Sequence, residues 1–188
     1  MIVERALNTL AYQQSIERRW HELGYSSLKY FVPIKPREGE QPRYWQNNVT
    51  HVGPDNYAVD IVTPDPRKYS LPIISSSDGV IAAVITDSTI GGNNPIYANH
   101  ANYITVQTGI REFFKVIHLA TNSTNLVPGD KVVAGQVIGC TGVSGYMMDR
   151  RHLHFMVGRW LDTRRVEYES LRIRLKDFPN PNYNELLQ

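Results

Sequence analysis

Arg151-His152-Leu153-His154-Phe155-Met156-Val157-Gly158 is the stretch on which both fold and chemistry turn. A β-strand sends alternate side chains to opposite faces. Read as a strand, this one directs Leu153 and Phe155 into a core and sets His152 and His154 together on the other face. Two imidazoles sharing a sheet face suit metal binding or acid–base work. Taken alone, they are equally two surface histidines of an ordinary strand.

Upstream the same texture continues. Tyr57–Val62 is β-rich and is broken by Pro64 and Pro66. Asp78-Gly79 is a turn before a strand over 80–86, residues 102–108 alternate, and 113–119 form another strand. Pro128-Gly129-Asp130 turns the chain into a segment, 131–139, that carries Val132, Val133, Val137 and Ile138. Turn signals this close together predict an all-β sandwich or barrel-like sheet, not a parallel α/β sheet. At the N-terminus, an apolar stripe at helical spacing predicts a helix over 3–23, with Gly24 as its C-cap. Pro33, Pro36 and Pro42 mark 30–48 as an irregular arm, and Pro179-Asn180-Pro181-Asn182 marks a loose end. The expected organisation is an N-terminal helix and arm (1–47), a central domain (48–160) and a C-terminal extension (161–188).

Composition narrows the class. With 188 residues, 41% hydrophobic and 20% charged, a core is feasible and disorder throughout is excluded. No run approaches the roughly 18 apolar residues of a membrane span. A single Cys140 excludes an intramolecular disulfide framework and a Cys-based zinc ribbon. Net charge is +2, too small to argue for nucleic acid. Residues 149–176 hold eight Lys/Arg against four Asp/Glu; such a flank could sit near an anionic polymer, but a solvated face is the commoner reading. Met1-Ile2-Val3-Glu4-Arg5 carries an early acid and no apolar core, so no signal peptide is visible.

Further candidates lie in the same β-rich region. Asp60 follows Val59 on the non-core side of its strand, where a carboxylate is costly unless solvated, paired or ligating. His51 precedes the turn Gly53-Pro54-Asp55-Asn56, which could fold it back onto Asp60; Asp55 is a rival ligand, and Asp60 is preferred because a strand fixes its side chain better. His118 ends the apolar run Val116-Ile117. A hydrolytic zinc site takes three protein ligands and leaves a position for water, and amide hydrolysis also needs a proton acceptor and an oxyanion donor. Four histidines and a carboxylate, with no Cys ligand, suit such a site. Tyr44, Trp45 and Trp160 could make a stacking surface, although aromatics more often fill a core or seam.

These blocks resemble the lysostaphin/LytM type of zinc metalloendopeptidase, peptidase family M23. His51 through Asp60 is similar to a longer-spaced form of the first family motif, Asp78-Gly79-Val80-Ile81 to the turn and strand after it, Val116-Ile117-His118-Leu119 with Val127–Gly139 to the third block, and His152-Leu153-His154-Phe155 to the fourth. The resemblance covers about 49–158. It implies an antiparallel β-sheet sandwich, with His51, Asp60 and His154 as ligands of Zn2+ and His118 and His152 as the proton-handling, oxyanion-stabilising pair. It further implies hydrolysis of peptidoglycan peptides, cross-bridge or stem, and hence a periplasmic, extracellular or phage-associated setting, with no nucleic-acid partner. Three positions depart from the pattern. Met156 stands where the family usually has an acid, Val116 where a Tyr is common, and Val143–Arg151 is a bulky basic loop expected to border the cleft and set substrate preference. Two other classes remain open. One is a non-catalytic binding or regulatory module on the same fold; the other is a lipoyl- or biotinyl-carrier-like hairpin at 127–139, which lacks the modifiable Lys on an exposed turn.

Overall fold

The computed structural model describes residues 22, 24–34, 43–45, 50–63, 70–109, 111–148, 151–177 and 179–182. Among the described residues there are thirteen strands: β1 (Tyr25–Tyr30), β2 (Tyr44–Trp45), β3 (Val59–Val62), β4 (Pro72–Ile74), β5 (Gly79–Ile85), β6 (Gly91–Gly92), β7 (Tyr103–Gln107), β8 (Glu112–Ile117), β9 (Lys131–Val132), β10 (Val137–Cys140), β11 (Gly145–Tyr146), β12 (His152–Trp160) and β13 (Tyr168–Leu175). Short 3₁₀ turns span Gly53–Asp55 and Pro95–His100. The main sheet runs β1-β13-β12-β8-β7-β5-β9, with β3 against β12 and β2 against β3. Two small ribbons, β10–β4 and β11–β6, complete it. The helix expected over 3–23 lies outside the described residues apart from its end. No described helix is long and apolar enough to cross a membrane.

Strand β12 is the axis. One edge pairs with β8 along 154–159; the other pairs with β3 at 152–155 and with β13 at 157–160. Alternation then sorts its side chains as the sequence predicts. Leu153, Phe155 and Val157 join Ile104, Val106, Phe114, Val116, Val59, Ile61, Leu171 and Ile173 in one fully buried cluster. Ile73 of β4 and Ile138 of β10 close over the same cluster, which gives the ribbon its place. Each such side chain contributes about 1.5–3 kcal/mol through burial.

The expected antiparallel sandwich needs correction. The sheet is mixed and curled: β1 runs parallel to β13, and β11 parallel to β6. A parallel pair needs a long crossover. Here the crossover from β1 to β13 is the whole intervening chain, and local alternation carries no trace of so distant a pairing. The described strands form one large sheet with two ribbons, not two facing sheets of comparable size.

A buried carboxylate holds β1 in place. Glu112 accepts hydrogen bonds from the Ser27 N–H (2.8 Å), the Ser27 hydroxyl (2.6 Å), the Leu28 N–H (3.2 Å) and the Tyr30 hydroxyl (2.7 Å). Burial, reinforced by the Glu112 charge, holds the Tyr30 phenol far above its usual range, so it remains a donor.

Candidate metal centre

Register builds the site. Asp60 stands opposite His154 across β3 and β12, His154 opposite Ile117 across β12 and β8, and Ile117 opposite Tyr103 across β8 and β7. Trp45 of β2 is opposite Asp60. This rung crosses the face of the sheet turned away from the core. His51, just before the 3₁₀ turn Gly53–Asp55, folds back onto it.

Three ligand atoms meet there. His51 Nε2 is 3.2 Å from Asp60 Oδ1 and 3.2 Å from His154 Nδ1, and His154 Nδ1 is 3.0 Å from Asp60 Oδ1. All three residues are buried. Protons alone cannot satisfy this triangle. If both imidazoles donate to Asp60 Oδ1, two N–H groups face each other without an acceptor. A single cation serves all three lone pairs at once. Zinc–ligand bonds of about 2.0–2.1 Å in a tetrahedron set ligand–ligand edges of about 3.3–3.4 Å, close to those observed. The second atoms of two of these side chains, Asp60 Oδ2 and His154 Nε2, are buried without a hydrogen-bond partner. The residues therefore fit a metal ion. Burial alone would raise the Asp60 pKa, but hydrogen bonds from His154 and His51 outweigh it and hold the carboxyl well below its usual range.

His118 and His152 border the same triangle. Their rings meet edge to face with centroids 4.7 Å apart, and His152 Nε2 lies 3.5 Å from Asp60 Oδ1. His118 follows β8 in the left-handed region, at φ 71°, where a non-glycine residue needs support from its surroundings. That support is explicit. Its N–H donates to the Asn102 carbonyl (2.9 Å) and its carbonyl accepts from the Gly142 N–H (2.8 Å). Its Nδ1–H donates to the Ser144 carbonyl at 2.7 Å. A carbonyl only accepts, so the proton of the neutral ring sits on Nδ1 and Nε2 keeps its lone pair. Burial first, then the nearby His152 and His154, lower the His118 pKa to about 3.

Asn102 is a residue that sequence reasoning missed. Fully buried, it donates its N–H to Ser144 Oγ and its side-chain amide to the Ser88 and Leu119 carbonyls, while its Oδ1 accepts the Ser88 N–H. It thereby locks the loop carrying His118 to the one carrying Ser144. Nothing in the pattern flags it; at the head of the alternating stretch 102–108 it reads as an ordinary strand residue. Gly142 is fixed by the same packing, since a Cβ there would collide with the Ala120 backbone.

The rung opens on a cleft of about 440 Å³, walled by Asp55, Tyr103, Lys115, Ile117, Tyr146 and Met148 among others. Tyr146 and Met148 come from the basic loop that the sequence placed at the cleft. Asp55, the rival ligand, stays outside the triangle and accepts a hydrogen bond from the Tyr168 hydroxyl at 3.0 Å. Of the three suspected stacking aromatics, Trp45 lies edge-on to His152, Trp160 stacks on Phe113, and Tyr44 packs against the main core, so they make no common surface. Val116 is core, and Met156 packs with Ala58 and Phe113.

The chain is similar in fold to a zinc-containing peptidase from Vibrio cholerae: TM-score 0.51 and 21% identity, over 81% of this chain and 41% of that one. It therefore spans about two fifths of that relative's length. The likeness to M23 peptidases read from the sequence holds for the fold. The catalytic domain of lysostaphin from Staphylococcus simulans aligns at TM-score 0.46 and 23% identity, over 70% of this chain and 86% of that one. A point mutant of the catalytic domain of the prophage-encoded M23 protein EnpA from Enterococcus faecalis gives TM-score 0.46 and 19% identity, over 69% of this chain and 87% of that one. No family model matches the chain, and no curated protein does.

Proposed function

We propose that the chain is a zinc-dependent endopeptidase hydrolysing peptide bonds of bacterial peptidoglycan. The observation that carries this reading is the buried triangle of His51, Asp60 and His154 beside a histidine of fixed tautomer. The fold shared with a zinc-containing peptidase supports it.

His51 through Nε2, Asp60 through Oδ1 and His154 through Nδ1 are the ligands in this reading. Zinc held there supplies a Lewis acid that polarises a carbonyl and makes water acidic near neutral pH. The chain's own residues do the rest. His118 Nε2, unprotonated because Nδ1 serves Ser144, accepts the proton of the attacking water. His152, on the same face as His154, donates a hydrogen bond to the developing oxyanion. His118, protonated by the first step, returns the proton to the departing amine. Asn102 keeps His118 aimed throughout. The wall formed by Tyr146 and Met148 shapes the peptide-binding side of the cleft.

The test is digestion of purified muropeptides of different cross-bridge chemistry, with mass spectrometry of the fragments and metal analysis of the protein. Cleavage that stops with chelator and returns with zinc is the expected result. A protein that binds zinc stoichiometrically and cuts none of these peptides defeats the reading.

A further inference from the structure

Two residues along the strands from the His154 rung, on the same outer face, lies Lys115. Its strand neighbours are Met156 on β12 and Thr105 on β7. Its Nζ does not stay above that pair. It sits 4.2 Å from the centroid of the Tyr103 ring, which belongs to the His154 rung. The side chain thus leans along the sheet to the level of the His154 rung, at that rung's Tyr103 end, and it lines the same cleft as His118, His152 and His154.

The ammonium is poorly compensated. Lys115 is half-buried, and burial lowers its pKa while the Asp55 charge pulls the other way. Among the described residues no carboxylate lies within ion-pair distance of Nζ; the carboxylate that acts on it, Asp55, is hydrogen-bonded to Tyr168. A ring face lies against Lys115, its strand partner is the apolar Met156, and Ile117 shares the wall of the cleft with it. A cation over a tyrosine ring gains about 0.5–2 kcal/mol, less than a half-desolvated ammonium typically forfeits. An apolar side chain would pack better here, as Phe113 does two residues earlier against Met156. The bland reading is a lysine whose stem covers Met156 while its head reaches water through the cleft.

We propose that Lys115 is a specificity residue that takes a carboxylate of the bound peptide, an acidic side chain or a free C-terminus close to the scissile bond. The inference rests on the endopeptidase reading and names the substrate class for it: anionic peptides rather than the uncharged oligoglycine type. A charge-assisted contact to an ammonium is roughly twice as strong as a neutral one and sets selectivity of about 10–100-fold.

The test uses a stem-peptide dimer with free carboxylates and two relatives, one amidated at the C-terminus and one at the acidic side chain. Hydrolysis by the zinc-loaded full chain and binding to the metal-stripped full chain are both measured, for the parent and for Lys115→Met. The parent is expected to favour the free acid over one of the amides by about 10–100-fold in kcat/KM and in Kd. Whichever amide loses the preference identifies the source of the carboxylate. Lys115→Met should bring the ratio to about one while hydrolysis of that amide stays within about threefold. Equal loss on acid and amide, or a parent with no preference, overturns the proposal. A binding preference without cleavage sinks the endopeptidase reading and leaves this one standing; cleavage without preference does the reverse. Should Lys115→Met not fold, the parent's acid-to-amide ratio is measured against ionic strength. A ratio that falls with salt supports the charge contact, and one that does not move refutes it.

Discussion

Two rungs of the sheet, one residue apart on each strand, behave as opposites. Ile104, Val116, Phe155 and Val59 stand side by side across β7, β8, β12 and β3, and all four are fully buried in the core. Tyr103, Ile117, His154 and Asp60 stand beside them on the same four strands and face the cleft or the metal triangle. Both rungs share one backbone and one set of ladder hydrogen bonds. The difference teaches that apolar burial on one side fixes the register, and the register alone brings Asp60 to His154. A slip of β3 or β12 by one residue would turn Asp60 or His154 into the core and its apolar neighbours out.

If the two rungs divide the labour in this way, substitutions on one should affect chemistry and on the other stability. The largest effect belongs to Asp60→Ala. Zinc stoichiometry measured by metal analysis should fall toward zero and peptide cleavage to background. The metal-free protein should unfold within about 2–4 °C of its parent, the shift of roughly 1 kcal/mol for a chain of this length. A large drop in metal-free stability would break the division. Next, His118→Ala should retain zinc and lose about 10²–10⁴-fold in cleavage rate, the usual size of a general-base effect. Retained cleavage there would reassign the base to His152.

On the core rung, Phe155→Ala should cost about 3–5 kcal/mol in chemical denaturation, with zinc uptake normal in the molecules still folded. Zinc loss without destabilisation would break the division, because Phe155 would then support the site rather than the stability of the fold. The smallest effect is expected outside both rungs, at Asn102, which directly precedes Tyr103. Asn102→Ala leaves buried carbonyls and N–H groups without partners, a cost of about 1–3 kcal/mol. Cleavage should fall further than this stability loss explains, because His118 loses the contacts that hold its backbone and aim its ring. Equal activity per folded molecule would reduce Asn102 to a purely structural role.

Much of this division is legible in the chain itself. Leu153 and Phe155 against His152 and His154, and Val59 and Ile61 against Asp60, separate by simple alternation. Asp60 in preference to Asp55 also follows, because a side chain on a paired strand is aimed and one on a short turn is not. The unread parts share a cause: none is periodic. The positive φ of His118 depends on distant groups, Asn102 and Gly142. The tautomer of His118 depends on a carbonyl 26 residues away. The parallel pairing of β1 with β13 joins segments more than a hundred residues apart. Lys115 reads as an ordinary polar residue of a strand until Tyr103 is seen beside it.

The grip of Glu112 on β1 bears on how the protein can be dissected. A trimmed version beginning near residue 48, just ahead of His51, would discard the outermost strand and four donors of one buried carboxylate. It would bare the flank of β13, a row of unpaired peptide groups of the kind that recruits neighbouring chains into aggregates. Any shortened form should begin ahead of Tyr25.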